Sequence, residues 1–269
     1  MWITFLAATL VANAAFAQVP TLPDGTDTHW TVKEPQELVA YVLFDPATVE
    51  DRLPPTLRFI TVGELAAQGL QWATEHLAEY PTHDAWGISF LEIVRMGLFD
   101  IDGRRPDWPE HGAAALWMAR VAPSDTATDL GPGVPLLVLD FWMSDSLFVA
   151  YMRDKGYYAT YGDVRLRRDA GGEWRGSLDV DGLKVVAECT PTGPVTGGEK
   201  SRGMQVFFSP KSFSVATVVR VAFAGHRVQN CKGTSPWRIE GTHALAGGVM
   251  LGPSTYQFGY RLVGGVYRR

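Results

Sequence analysis

From Trp86 onward the chain is a succession of short runs rich in aromatic and β-branched residues, most of them bounded by turn-forming residues, and this limits its fold more than any other feature. The runs are Trp86 to Phe99, His111 to Val121, Val134 to Met143, Tyr157 to Arg168, Trp174 to Val180, Leu183 to Cys189, Met204 to Phe208, Val215 to Phe223 and Tyr256 to Val266. Asp181-Gly182, between two of them, is a tight hairpin signal, because Gly tolerates the backbone angles that a two-residue connection demands. Helical signals are few. Asp45-Pro46 pairs an N-cap with Pro at the first helical position, and the short helix it begins stops at Leu53-Pro54-Pro55. Thr61-Val62-Gly63-Glu64 is a capping box, and Val62, Leu65, Ala66, Gly69, Leu70, Ala73 and Leu77 repeat at helical spacing until Pro81. A third helix is expected from Ser144 or Asp145 to Lys155, with Arg153 and Lys155 beside the negative end of its dipole and Gly156 just beyond. About ten strands and three helices describe an α+β protein, a mostly antiparallel sheet rolled into a β-barrel with a few peripheral helices.

The first 17 residues read as a segment apart from that fold. Met1 to Ala17 carries no charge and ends in Ala15-Phe16-Ala17, a small-x-small pattern that a signal peptidase accepts. Its apolar stretch is too short to span a bilayer, although Lys and Arg are missing near Met1. The expectation is a signal peptide over residues 1–17 and a single domain over residues 18–269, periplasmic or secreted, with no stable membrane insertion once the signal is removed. Gln18 to Thr28 reads as a loose lead-in. In an oxidising compartment Cys189 and Cys231 could pair; their spacing equally allows two unrelated buried thiols.

Composition and motif searches remove several function classes. A net charge of −5 argues against a broad nucleic-acid-binding surface. No glycine-rich phosphate cradle precedes a helix, and no G-x-S-x-G elbow occurs. None of the six histidines forms H-E-x-x-H, and Pro81 breaks the helix that would align His76 with His83, so no metal site is indicated. No cofactor is called for. What remains are charged residues inside apolar strands. Glu92, within Phe90-Leu91-Glu92-Ile93-Val94, and Glu188, within Val185-Val186-Ala187-Glu188-Cys189, either point to solvent or enter a lumen where desolvation would suit them to acid–base work. Arg95 is either a surface residue or a carboxylate-binding cation. Lys155 and Lys184 are amine nucleophiles if buried; otherwise one caps a helix end and the other is solvated.

The order of several short motifs resembles the acetoacetate decarboxylase-like family. They are Tyr41-Val42-Leu43-Phe44-Asp45-Pro46 through Leu53-Pro54-Pro55, then Tyr157-Tyr158-Ala159-Thr160-Tyr161-Gly162, then Trp174-Arg175-Gly176-Ser177-Leu178-Asp179 and Leu183-Lys184-Val185-Val186-Ala187. The resemblance implies a largely antiparallel barrel with peripheral helices. It also implies that copies of the chain can assemble into a homo-oligomer. In that family a lysine forms a Schiff base with a β-keto acid, and a second lysine beside it lowers its pKa. Here Ala159 and Thr160 fall at the two lysine positions, Tyr158 replaces a proline, and the family's arginine in the opening strand has no match at Leu43 or Phe44. Neither Ala nor Thr can form an imine. Three readings follow. The first is a binding protein whose barrel cavity takes a small hydrophobic or carboxylated ligand. Its lining would comprise Tyr157, Tyr161, Trp117, Phe141 and Trp142, with Arg95 or Glu92 as polar groups. The second is an active decarboxylase or lyase using a displaced Lys155 or Lys184, or Glu92. The third is a structural envelope β-domain without a ligand.

Overall fold

The computed structural model describes residues 26–101, 112–126, 133–154, 159–198, 202–208, 217–233 and 237–268. Its strands in chain order begin with β1 (Thr26–Lys33), β2 (Gln36–Phe44), β3 (Leu57–Phe59), β4 (Gly87–Arg95), β5 (Leu98–Ile101) and β6 (Ala113–Pro123). They continue with β7 (Val134–Met143), β8 (Thr160–Tyr161), β9 (Asp163–Arg168), β10 (Trp174–Val180), β11 (Leu183–Cys189) and β12 (Pro191–Gly197). The last are β13 (Arg202–Phe208), β14 (Thr217–Ala224), β15 (Arg227–Cys231), β16 (Trp237–Gly241), β17 (Val249–Phe258) and β18 (Arg261–Arg268). Among the described residues three α-helices accompany them: α1 (Val62–Ala67), α2 (Gln71–Glu79) and α3 (Ser146–Asp154). No helix among the described residues is long and apolar enough to cross a membrane.

The strands form two sheets. The larger has 14 strands along the path β12-β15-β17-β2-β4-β6-β7-β13-β14-β18-β1-β5, with β3 on β6 and β8 on β7. The smaller has the order β16-β11-β10-β9. Pairing is antiparallel except where β7 runs parallel to β13 and to β8. The expected barrel is therefore not closed: β12 and β5 end the path and do not pair with each other. The composition of β12, Pro-Thr-Gly-Pro-Val-Thr-Gly, explains one free end, since Pro removes ladder donors and belongs on an edge.

The large sheet nevertheless rolls up. Six strands lie between β1 and β2 along the path, yet only Glu34 and Pro35 separate them in the chain. The Glu34 amide donates to the Tyr260 carbonyl at 3.0 Å. A Cβ on Gly97 would lie 2.1 Å from the Lys33 carbonyl oxygen, so only glycine lets the β4–β5 bend pass the β1–β2 bend. The roll gives the sheet a concave face, where Val32 of β1 packs in one cluster with Val94 of β4, Ala114 and Met118 of β6, and Val138 and Phe141 of β7.

The opposite face carries the main core. Leu38, Ala40, Val42, Phe44, Leu91, Ile93, Ala115 and Trp117 pack against Val164, Leu178, Val185, Ala187 and Trp174 of the small sheet. A disulfide joins Cys189 to Cys231 in this layer and ties the small sheet to β15. A register shift at Trp117/Met118, where Leu139 has no direct partner in β6, keeps the consecutive residues Leu139 and Asp140 both on the packed face, so that Val138 and Phe141 both face the concavity.

The helices differ from expectation in two respects. The capping box is present, with Thr61 Oγ1 accepting from the Glu64 amide. The single helix read through to Leu77 is two, because Gly69 adopts φ +83° and ends the first after Gln68. The segment after Asp45 forms two 3₁₀ turns rather than an α-helix.

Candidate functional site

The concave face carries a buried acidic pair. Glu37 of β2 is paired in register with Val94, and Glu92 of β4 with Val39, so the two carboxyls lie diagonally on one face. Glu37 is 7% exposed, and Glu92 beside it is half-buried. Burial pushes the Glu37 carboxyl up to about 7, opposed by a hydrogen bond with the Tyr260 hydroxyl. Burial and then the neighbouring Glu37 charge raise Glu92 well above the usual carboxylate range. Two like-signed groups in a dry site cannot both ionise cheaply, so the pair retains a proton near neutral pH.

Two further groups complete this surface. Tyr41 of β2 is pushed up to about 12 by burial and the Glu92 charge, with Arg120 opposing. Its ring meets Phe90 edge-on at 5.1 Å. Arg120 of β6 lies on the same face, held below its ordinary value by burial, and its buried Nε has no hydrogen-bond partner. At the other end of the pair, Gln257 of β17 is paired with Glu37, and its Oε1 accepts from His226 Nε2. The arrangement offers a carboxylic acid able to donate, a phenol and an incompletely paired guanidinium within one apolar concavity.

Tyr41 also borders a cavity of about 460 Å³ between α2 and the strands β12, β15 and β17. Its mouth carries His76, whose Nε2 lies 2.9 Å from His83 Nδ1. Pro81 does end the helix, but the 3₁₀ turn Pro81–His83 brings His83 back beside His76, and the two rings stack. The expectation that Pro81 keeps these histidines apart is thus corrected. Among the described residues no three His, Cys, Asp or Glu side chains form a metal-ligand set.

An acetoacetate decarboxylase-like enzyme from Sphingomonas wittichii RW1 superposes with a TM-score of 0.53, at 15% identity, over 96% of this chain and 100% of that one. The chain has the acetoacetate decarboxylase-like fold. The enduracididine biosynthesis enzyme MppR also aligns. Its form with HEPES bound gives a TM-score of 0.47 at 10% identity, covering 94% of this chain and 88% of that one. Its pyruvate complex gives 0.46 at 11%, covering 95% and 96%. No protein-family model and no curated protein matches the sequence.

Within this acetoacetate decarboxylase-like fold the residues singled out from the sequence are scattered. Glu92 and Phe141 lie on the concave face, and Ala159 is fully buried in the same apolar cluster, beside Phe148 and Met152. Thr160 is half-buried, its hydroxyl donating to the Phe141 carbonyl at 3.3 Å, while Tyr161 is 62% exposed. Trp117 and Trp142 lie on the opposite face, in the core against the small sheet, both edge-on to His243. Arg95 is on that face too, its guanidinium 5.6 Å from the Trp174 ring centroid. The structure therefore does not assemble Trp117, Trp142, Arg95 and Glu92 into one lining. Lys184 is exposed on the small sheet, 3.9 Å from Asp179, and far in the architecture from the concave face. Glu188 is half-buried on the same strand. Lys155 and Tyr157 lie outside the described residues. Sequence reasoning missed Glu37, Tyr41, Arg120 and Tyr260. Glu37 could have been found by asking which other acidic residue opens an apolar strand.

Proposed function

We propose that this is an exported protein that uses the acetoacetate decarboxylase-like fold to hold a small ligand, apolar in body with a carbonyl or carboxylate end, without forming a Schiff base. The observation that carries the reading is the chemistry of the concave face. Glu37, Glu92, Tyr41 and Arg120 converge there, whereas Ala159 contributes only a methyl group to the apolar cluster. Arg120 and the Tyr41 hydroxyl would meet the anionic or carbonyl end, and protonated Glu92 would donate to an oxygen. The uncharged Met1 to Ala17 segment supports export, and the Cys189–Cys231 disulfide fits an oxidising compartment.

The test is borohydride reduction of the full chain with pyruvate or acetoacetate, read by mass spectrometry, beside calorimetric binding of the same acids. The expected result is binding without a covalent adduct, weakened about tenfold in Arg120→Met and in Glu92→Gln. An adduct mapped to Lys155 or Lys184 would overturn it.

A second reading has its own support. A carboxyl pair that shares a proton near neutral pH suits proton transfer beside a carbonyl, so the site would be catalytic through Glu92. Exchange of the α-hydrogens of a bound keto acid for deuterium, lost in Glu92→Gln, separates this from simple binding.

A further inference from the structure

The cavity under α2 is a continuation of the concave face. Leu251 of β17 pairs directly with Tyr41 of β2, and Thr255 with Val39, so these side chains share the face that carries Glu37 and Glu92. Between those two pairs, Gly252, Pro253 and Ser254 stand against Ala40 alone. Gly252 takes φ +58°, a left-handed angle that suits glycine, and a bulge of this kind bends its strand. The cavity of about 460 Å³ lies at the bend, with Leu251, Gly252, Pro253 and Thr255 all in its wall and Tyr41 across from them.

The walls suit an apolar occupant. The Thr196 hydroxyl donates to the Val228 carbonyl at 3.3 Å, and the Thr255 hydroxyl accepts from Gln257 at 3.2 Å, so both are already engaged. Val249 and Leu251 are half-buried apolar side chains that an occupant would cover. The groups able to hold an acid lie on the other side of Tyr41. The charges of Glu92 and Arg120 both act on its phenol, and the buried Arg120 Nε has no partner in the protein. A cavity of this volume is in the range that buries a drug-sized ligand, and a three-carbon keto acid held at Arg120 would leave it to water.

We propose that the ligand of the concave face is a keto acid with a long apolar body, of the size of phenylpyruvate or 2-oxooctanoate rather than pyruvate, and that the cavity under α2 holds that body. The carboxylate meets Arg120 and the Tyr41 hydroxyl, and the chain or ring runs past Leu251 toward Val228. This assignment rests on the acid-binding reading of the concave face and extends it to the length and place of the ligand's body.

The test is calorimetry of the full chain with pyruvate, 2-oxohexanoate, 2-oxooctanoate and phenylpyruvate. Affinity is expected to rise about two- to fourfold per methylene along the linear series, because each methylene passes from water to an apolar wall. Phenylpyruvate is expected to bind about tenfold or more tightly than pyruvate. The ketone 2-octanone keeps the body and lacks the carboxylate, and is expected to bind about tenfold or more weakly than 2-oxooctanoate. Leu251→Trp fills the cavity beside Tyr41 and is expected to cut the ratio of 2-oxooctanoate to pyruvate affinity by about fivefold or more. Thr196→Trp narrows the same cavity from an exposed position on the edge strand β12, and is expected to move that ratio in the same direction even where Leu251→Trp does not fold. An affinity that does not rise with chain length, or a ratio unmoved in both variants, would overturn the proposal and leave the concave face as a site for short acids. Octanone binding as tightly as 2-oxooctanoate would overturn it also, by detaching the cavity from Arg120. Failure of all four acids to bind would overturn this assignment together with the reading on which it rests.

Discussion

On β4, Leu91 and Ile93 point toward the small sheet, while Phe90 and Glu92, one residue away on the pleat, point into the concavity. The packed face answers its charged and polar groups. Asp140 accepts from Arg52 at 2.7 Å and lies 3.3 Å from His243 Nε2, and the Trp117 indole donates to Ser89, which donates to the Val42 carbonyl. Its unpartnered buried atoms, on Gln36 and Trp237, are neutral. The concave face leaves its carboxyls crowded and an arginine Nε without a partner. Strands that satisfy one face this thoroughly could satisfy the other. Unrelieved charge in the concavity is what a ligand would relieve, and it marks the face where function is to be sought.

The largest effects should come from the packed face. Trp117→Ala removes a fully buried indole and orphans the Ser89 hydroxyl as donor target, and should cost about 3–5 kcal/mol in urea unfolding. Phe90→Ala, half-buried on the concave face, should cost less than half as much. Equal costs would erase the distinction between the faces. Next in size, Cys189→Ser/Cys231→Ser opens a link between residues 42 apart and should cost about 2–4 kcal/mol, read as a lower unfolding midpoint. An unchanged midpoint would mean that the small sheet is held by packing alone.

Period-two alternation makes the strand-rich character visible, because aromatic and β-branched residues have no better use than a pleated surface. It also hides the site. Both faces of β2, β4, β6 and β7 are buried, so polar and apolar residues do not alternate and the pattern does not tell which face is which. Arg95 and Glu92 differ by an odd step, as do Trp142 and Phe141, and a single pleat sends the members of each couple to opposite faces. Strand β12 escapes notice because Pro and Gly make it look like a loop. Closure of the barrel is a matter of whether two edges meet, and no local pattern encodes that. The His76–His83 contact depends on a turn after Pro81 that reverses the chain within three residues. Glu92 is legible because a carboxylate amid Phe, Leu, Ile and Val demands an explanation; its partner Glu37 comes from a distant segment.

The smallest effect discriminates most finely, because it depends on pH. Glu37 has an ordinary value of 4.5 and is raised to about 7 in the folded chain. The folded state therefore binds more protons than the unfolded state between those values, and stability falls as pH rises through that window. Below about pH 4.5 both states are protonated and Glu37→Gln should be nearly neutral. Above pH 7 the native chain must hold a buried carboxylate, and the same substitution should stabilise it by about 1–3 kcal/mol. Unfolding midpoints at pH 5 and pH 8 measure the difference directly. On the packed face Asp140→Asn should instead destabilise the chain, since it weakens the contact with Arg52 and removes a partner from His243. If Glu37→Gln instead destabilised the chain at pH 8, the carboxylate would be held by compensating contacts. The concave face would then be a satisfied interior like its opposite.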